Sequence, residues 1–288
     1  MKKYLLIFLT AVVVYIVAAV LVYYWNPFTN INEGCIALDD STTLIRDPKN
    51  HFIFDTGAEG TIFFNFNKIN SKIPIGAAII FDTYRKVNLI PSFFCRKIKL
   101  TDSVSISNVI FSYPINDIDS VIRSSENGII GMNVLSKANW HCSFRKYQLQ
   151  TLHFDKENSV PANAIAIDYH GSLRPQTTLN LNNTTIKDVL IDTGCDEDLV
   201  LDSISISKLS DANISSRQEG QSSGLWSRTK VVQLMYSTLD INGIAYNDVG
   251  VRQGSSNILG CRFLRRFDNM FWDSEKQRVY LWNDSIAQ

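Results

Sequence analysis

Two short stretches decide the fold: FIFDTG at residues 52–57 and VLIDTG at residues 189–194. In each stretch an apolar run, typical of a buried strand, leads directly into Asp-Thr-Gly. The strand delivers the carboxylate to a tight turn, and the glycine lets the backbone leave that turn in a conformation that other residues resist. A single Asp-Thr-Gly also occurs in ordinary turns. Two copies, one in each half, predict an internal duplication that brings Asp55 and Asp192 face to face.

The sequence downstream of the two triplets repeats as well, as a duplication requires. The first copy is followed by GIIGMNVL (residues 128–135) and the second by NILGCRFL (residues 257–264). Both contain two branched apolar residues, then Gly131 or Gly260, and then a leucine. Each half therefore reads as a strand, the Asp-Thr-Gly turn, several strands, the apolar-apolar-Gly motif, a short helix and a final hairpin.

This order resembles the aspartic protease superfamily, which includes pepsin-like and retroviral-type enzymes. The resemblance covers roughly residues 52–152 and 189–282. The halves are short, and Ala58 after the first triplet is typical of the retroviral type, so the chain resembles a fused, single-chain version of a retropepsin-like dimer. The resemblance implies an all-β, two-lobed fold, a pseudo-two-fold double β-barrel.

Local patterns agree with an all-β fold, because polar and apolar residues alternate in segments such as 104–107 and turn residues are closely spaced. The clearest hairpin is LDINGI at residues 239–244, where Asn-Gly favours a two-residue turn. A further short helix is expected near residues 203–209. The expected units are a transmembrane anchor (1–25), a tether (26–34), lobe one (35–154), a connection (155–162) and lobe two (163–288).

The N-terminus is the main apolar block of the chain. Residues 4–25 are apolar or aromatic except for Thr10, which is about the length that a helix needs to cross the hydrocarbon core. With Lys2 and Lys3 on the cytoplasmic side, this pattern predicts a single-pass membrane protein whose protease part is extracytoplasmic, either periplasmic or extracellular. A long cleaved signal peptide is the alternative.

Composition limits the other function classes. Apolar residues make up 45% of the 288 residues, enough for a substantial core, and the formal net charge is zero. A neutral chain without a Lys/Arg run does not favour nucleic-acid binding. Five cysteines and four scattered histidines show no metal-ligand spacing, so neither a metal nor a cofactor is expected. Disulfide pairing stays open.

The two aspartates suit peptide hydrolysis, which requires one group to activate water and another to protonate the leaving amine. Two carboxylates a few ångströms apart cannot both ionise readily, so they share one proton over a useful pH range. Asp55 and Asp192 are therefore the predicted catalytic pair, acting on a peptide or protein substrate within a single chain.

The resemblance assigns supporting roles to the neighbouring residues. The two threonines lock the turns together, the triplet glycines allow backbone amides to approach the carboxylates, and two further glycines pack beneath the turns. In that order, these are Thr56 and Thr193, Gly57 and Gly194, and Gly131 and Gly260.

The chain departs from pepsin-like enzymes directly after each triplet, where those enzymes often place a hydroxyl residue. Here the positions hold Ala58 and Cys195. Loss of a hydrogen-bond donor to the charged form raises a carboxyl pKa, so we expect a pH optimum milder than that of a gastric-type enzyme. The nearby acidic cluster, residues 196–198, is interpreted as a solvated turn.

A substrate bound in an extended conformation requires a covering hairpin. Candidate flap residues are Tyr84 in lobe one and Trp226 in lobe two, although both also suit ordinary hairpin packing. The alternative function is a catalytically inactive peptide-binding module of the same fold. A structural envelope protein, in which the triplets are mere turns, would leave the paired glycine motifs unexplained.

Overall fold

The computed structural model describes residues 2–24, 26, 28–65, 69, 72–81, 87–114, 126–154, 160–209, 213–223 and 228–284. It is mostly β, with 53% strand and 12% helix. In chain order the elements are α1 (Lys2–Tyr24), β1 (Asn30–Ile31), β2 (Gly34–Ala37), β3 (Phe52–Phe54), β4 (Thr61–Phe63), β5 (Lys72–Phe81), β6 (Val87–Lys99), β7 (Ser105–Ser112), β8 (Gly128–Ile130), α2 (Met132–Leu135), β9 (Asn139–Ser143), β10 (Gln148–Leu152), β11 (Ile165–Asp168), β12 (Gln176–Leu181), β13 (Thr184–Asp192), β14 (Leu199–Leu201), α3 (Ser203–Ser207), β15 (Ile214–Ser223), β16 (Arg228–Ile241), β17 (Ile244–Gln253), β18 (Ile258–Gly260), α4 (Cys261–Leu264), β19 (Asn269–Asp273) and β20 (Arg278–Trp282).

Two sheets, one in each half of the chain, share the same strand order. The first runs β3-β8-β4-β7-β6-β5, and the second runs β13-β18-β14-β17-β16-β15 with β12 beside β13. The pairs β3/β8 and β13/β18 are both parallel, and so are β4/β7 and β14/β17. The strands β4/β8 and β14/β18 are both antiparallel. The internal duplication expected from the paired motifs is therefore present in the fold.

A third, central sheet joins the halves, in the order β11-β20-β19-β9-β10-β2. Each half contributes three strands, and the halves meet where β9 pairs antiparallel with β19. Trp140 and Trp272 lie opposite each other on these strands, and their buried rings stack with centroids 5.3 Å apart. Burial of two such large rings at the junction makes the halves one continuous core.

The hairpin and the short helices predicted from local sequence patterns are present in the structure. Strands β16 and β17 form a hairpin whose turn residues, Asn242 and Gly243, have φ values of 55° and 83°, as a type I′ turn requires. Helices α2 and α4 follow Gly131 and Gly260. Helix α3 begins after Asp202, whose side chain accepts a hydrogen bond from the Ser205 amide.

The N-terminal segment forms helix α1, and the Tyr15 hydroxyl donates a 2.8 Å hydrogen bond to the carbonyl of Ile75 in β5. Among the residues that the structure describes, no helix is both long and apolar enough to cross a membrane. Within the expected tether, β1 pairs with β7. Thr29 is also buried, so this stretch lies against the first sheet.

Two further expectations concern the closure of each sheet into a barrel and the pairing of the cysteines. The second sheet closes through a single pairing, Leu181 with Ile241, whereas the described strands of the first sheet form an open path, so the double β-barrel stays a prediction. All five cysteines are free thiols, and only Cys35 is exposed.

Candidate active site

The two Asp-Thr-Gly turns lie at equivalent ends of β3 and β13. Each strand has a parallel neighbour, β8 or β18, that carries the apolar-apolar-Gly motif. The Asp55 amide donates a 3.0 Å hydrogen bond to the Ile130 carbonyl, and Asp192 pairs in register with Gly260. The motif that repeats in the sequence thus fixes the backbone from which each aspartate extends.

The two threonines connect the turns by a reciprocal set of hydrogen bonds. The Thr56 amide donates to Thr193 Oγ1, and the Thr193 amide donates to Thr56 Oγ1, both at 3.0 Å. Each hydroxyl then donates at 2.7 Å to a carbonyl of the opposite half, Thr56 to Ile191 and Thr193 to Phe54. Both threonines are fully buried, so water does not compete for these bonds.

Each triplet glycine lies against the carboxyl group of the opposite half. A Cβ atom placed on Gly57 would be 2.4 Å from the Asp192 Cγ, and one on Gly194 would be 2.3 Å from the Asp55 Cγ. Any side chain at these positions would displace the carboxyl groups. The glycines are thus required by the close approach of the turns.

The carboxyl groups of Asp55 and Asp192 are hydrogen-bonded to each other, and we call them the dyad. The amides of Gly57 and Ala58 donate to Asp55 Oδ1 at 2.7 and 3.0 Å. The Gly194 amide donates to Asp192 Oδ1 at 2.8 Å. Backbone amides therefore stabilise a negative charge on either side of the dyad.

Burial opposes that stabilisation and is the stronger effect. It raises the pKa of Asp55, although the hydrogen bond with Asp192 and two backbone amides lower it. Burial and then the negative charge of Asp55 raise the pKa of Asp192 well above its usual range. The dyad therefore retains a proton at pH values where two isolated aspartates would both be ionised.

Gly131 and Gly260 support the turns from behind. The residue after each glycine donates its amide to a carbonyl of the turn, Met132 to Ala58 at 2.8 Å and Cys261 to Cys195 at 2.7 Å. A Cβ on Gly131 would lie 2.6 Å from the backbone of residue 60, and one on Gly260 would lie 2.2 Å from the carbonyl of residue 197. The absence of a side chain lets these backbones touch.

No hydroxyl follows either triplet, and the structure shows what Cys195 does there. It is buried beside Leu190, Val200 and Ile258. Burial and the charge of Asp192 raise the pKa of the Cys195 thiol far above its usual range, so the thiol stays neutral. It behaves as a small apolar side chain.

The solvated-turn interpretation of residues 196–198 is wrong for two of the three residues. Only Asp196 is exposed, whereas Asp198 is 2% exposed and pairs with Arg266 at 2.9 Å. Glu197 is largely buried and pairs with Arg252 at 3.2 Å. Burial, followed by the charge of Asp196, raises the pKa of Glu197. Arginines distant in sequence neutralise this cluster, which a local pattern does not reveal.

Sequence reasoning also missed the polar residues behind each turn. In the first half, Thr61 Oγ1 donates to Asn133 Oδ1 at 2.8 Å and accepts from the Gly131 amide. In the second half the strand register places Leu199 at the position of Thr61, and the buried polar residue is Asp198, directly before it.

The flap candidates, Tyr84 and Trp226, lie outside the described residues. In the part of the chain that is described, no group of three or more His, Cys, Asp or Glu side chains could hold a metal ion. The remaining sequence-predicted site residues, by contrast, all converge on the dyad and its two turns. Their arrangement can hold one proton between two carboxyl groups at the surface of a rigid, reciprocally bonded base.

The chain matches no protein-family profile and no curated protein. Solved structures do match, among them the crystal structure of a retropepsin-like aspartic protease from Rickettsia conorii, which is 19% identical. That match covers 41% of this chain and 89% of the other, with a TM-score of 0.30, a value too low to establish a shared fold.

Proposed function

We propose that the chain is an aspartic endopeptidase that hydrolyses peptide bonds with water activated by the Asp55–Asp192 dyad. The observation that carries this proposal is the convergence of the two Asp-Thr-Gly turns, which are joined by reciprocal threonine hydrogen bonds and place each carboxyl group against the glycine of the opposite turn. Two desolvated carboxyl groups cost stability because each loses solvation on folding. A binding groove without chemistry needs neither of them.

In the proposed reaction one carboxyl group is ionised and the other protonated. The carboxylate removes a proton from a water molecule, whose oxygen attacks the peptide carbonyl carbon, while the carboxylic acid gives its proton to the carbonyl oxygen. The tetrahedral intermediate then collapses: one of its hydroxyl groups returns a proton to the carboxylate as the C=O bond re-forms, the C–N bond breaks, and the carboxylic acid gives its proton to the leaving amine. The dyad ends with the single shared proton that it held at the start.

The substrate is proposed to bind as an extended peptide in the cleft between lobe one (35–154) and lobe two (163–288). The reciprocal Thr56–Thr193 bonds join both halves of one chain, so one chain is proposed to suffice for activity. The extracytoplasmic, membrane-anchored location is a proposal from the sequence alone. The catalytically inactive peptide-binding module is the alternative that the following experiment separates.

The test is cleavage of a mixed peptide library by the full-length protein from pH 3 to pH 8. We expect Asp55→Asn and Asp192→Asn each to lower the rate by about 10²- to 10⁴-fold, the range typical of lost acid–base catalysis. Asp196→Asn, at the exposed carboxylate of the same loop, is the matched control and should retain activity. A folded wild type without cleavage, or cleavage that survives both dyad substitutions, would contradict the proposal.

The pH dependence of cleavage supplies a second readout. Because burial raises the pKa of both dyad members, the singly protonated form should persist at mildly acidic pH. The rate profile should therefore peak above about pH 3, an estimate anchored to a free aspartate near 3.9. A maximum below that value would contradict the expected effect of Ala58 and Cys195.

A further inference from the structure

A polar cavity of about 290 Å³ lies on the central sheet and shares no residue with the Asp-Thr-Gly turns. The register aligns Gln148, Ser143, Asn269 and Trp282 in one row across β10, β9, β19 and β20. All four residues line the cavity. Its volume is at the lower end of the range typical of small-molecule sites, about 300 Å³.

The alternation of side chains along the strands explains why this face can hold a ligand. Trp140 and Trp272 point into the core and are fully buried. Cys142, two residues after Trp140 on β9, and Met270, two residues before Trp272 on β19, are buried on the same face. The cavity residues alternate with these and so lie on the opposite face of the sheet. Binding there would not disturb the junction between the halves.

The base of the cavity contains an unpaired hydroxyl group. Ser143 is 6% exposed, and among the described residues its Oγ has no hydrogen-bond partner. A buried polar atom without a partner is costly, and such atoms are rare in native structures. Ser143 lies between Gln148 and Asn269 in the row, where a ligand hydroxyl could complete its hydrogen bonding.

A chain of hydrogen bonds forms one side of the cavity. His141 Nε2 lies 3.1 Å from Asn269 Oδ1, and Asn269 Nδ2 donates at 2.8 Å to Asp284 Oδ1. Burial lowers the pKa of His141, with a smaller lowering contribution from Lys146, so the imidazole is neutral at physiological pH. Lys146 and Asp284 are the charged side chains of the lining, and their charges balance.

The remaining lining combines an aromatic wall with free amides. The Trp282 indole stacks on the His141 imidazole with ring centroids 5.4 Å apart. Gln148 and Gln150 are exposed on β10, and each amide carries both donors and acceptors. A site with balanced charge, mixed donors and acceptors, and one aromatic wall suits a ligand that is neutral, rich in hydroxyl groups and apolar on one face.

We propose that this cavity binds one neutral sugar ring, with a ring hydroxyl on Ser143 Oγ and the apolar C–H face against Trp282. The site is independent of the proposed protease activity, since none of its residues contacts the dyad. The opposite charges of Lys146 and Asp284 give the lining no net charge, so it has no excess positive charge to attract phosphorylated or acidic sugars.

The test uses full-length protein and saturation-transfer NMR with glucose, galactose, mannose and N-acetylglucosamine, and with glucose 6-phosphate as the charged probe. We expect saturable binding of at least one neutral sugar in the millimolar range, and weaker binding of the phosphate. Ser143→Ala and Trp282→Leu should each weaken binding about tenfold, the effect of one lost hydrogen bond or contact. Tyr280→Leu, on the same face of β20 outside the cavity lining, is the control.

Ser143→Ala also separates binding from folding. Because the hydroxyl has no partner in the described structure, its removal should leave the melting temperature unchanged or higher while sugar affinity falls. The proposal is overturned if no neutral sugar of the panel binds saturably, or if the phosphate binds more tightly. It is equally overturned if Ser143→Ala retains wild-type affinity. Asp55→Asn should bind sugar normally, whether or not the chain proves to be a protease.

Discussion

Thr61 at the start of β4 and Asp198 directly before β14 are both buried next to the Asp-Thr-Gly turns, yet they are stabilised in different ways. Thr61 belongs to a neutral group with Asn133, and the Asn133 amide donates to the Ile110 carbonyl at 3.0 Å. Asp198 pairs with the Arg266 guanidinium through both oxygens, at 2.9 and 3.2 Å, and accepts from the Gly250 amide. The turn of the first half is thus supported by a neutral group and the turn of the second half by an ionic one.

The long hairpins of the two sheets differ in a similar way. The β5–β6 hairpin exposes large apolar side chains, with Phe81 63% and Leu89 74% exposed. The topologically equivalent strand β15 is polar and exposed through residues 215–221. The reciprocal threonine bonds, by contrast, are the same in both directions. Duplication has therefore kept the geometry that holds the dyad, while the surrounding chemistry of the halves has diverged.

The ionic support should make the second half the more sensitive to substitution. Asp198→Asn leaves Arg266 partly buried without its counter-charge, and breaking such a pair typically costs about 3–5 kcal/mol of unfolding free energy. Thr61→Val removes only neutral hydrogen bonds and should cost about 1–3 kcal/mol. Urea denaturation of both variants measures the difference.

A double variant checks that the large cost comes from an unpaired charge. Asp198→Leu combined with Arg266→Met removes both members of the pair, and should be less destabilised than the sum of the two single variants. If Asp198→Asn costs no more than Thr61→Val, the contrast between an ionic and a neutral support fails.

The threonine hydrogen bonds provide the opposite comparison, because loss of either threonine hydroxyl should lower stability by the same amount. Thr56→Val and Thr193→Val each leave one amide and one carbonyl of the other half unpaired, at a cost of about 1–3 kcal/mol. We expect the two costs, measured by denaturant unfolding, to agree within about 0.5 kcal/mol. A larger difference would show that the two turns are held unequally despite their matching distances.

Sequence reasoning succeeded where local patterns carry the structure. The two Asp-Thr-Gly turns, the paired glycine motifs, the short helices after Gly131 and Gly260, and the Asn242-Gly243 turn all depend on residues close in sequence. Each has a steric or hydrogen-bonding reason that operates within one turn of chain. The convergence of the two turns required one more step, namely the repeated order of motifs in the two halves.

Sequence reasoning failed where partners are distant. The pairing of Asp198 with Arg266 and of Glu197 with Arg252 depends on which strands become neighbours, so the acidic run alone favours a solvated turn, which the structure contradicts at these two residues. The cavity row on the central sheet is equally hidden, because Ser143 and Trp282 line one cavity only after β9 and β20 join the same sheet. Alternation along one strand identifies a face and says nothing of its neighbours.

The dyad itself should make the native state less stable as the pH rises. Because the folded pKa of Asp192 is raised, the native state retains a proton that the unfolded chain releases above about pH 3.9. Stability is therefore lost as the pH rises from that value through the folded pKa. Asp192→Asn abolishes this loss, so its melting temperature relative to wild type should be higher at pH 7 than at pH 3.5. Asp196→Asn is the control, and an equal difference at both pH values would contradict a buried, proton-sharing pair.

The smallest expected effect concerns the exposed hairpin of the first half. Leu89→Ser removes an apolar side chain that is already in water, so the free energy of unfolding should change by less than about 0.5 kcal/mol. Binding of a hydrophobic dye should nevertheless fall, because exposed apolar side chains on one hairpin form a patch that attracts apolar ligands. Gln221→Leu on the polar strand β15 is the reciprocal change and should raise dye binding at a similarly small stability cost. If Leu89→Ser instead destabilises the protein by more than about 1 kcal/mol, Leu89 is covered in solution, and the two hairpins differ in what they contact and not only in their polarity.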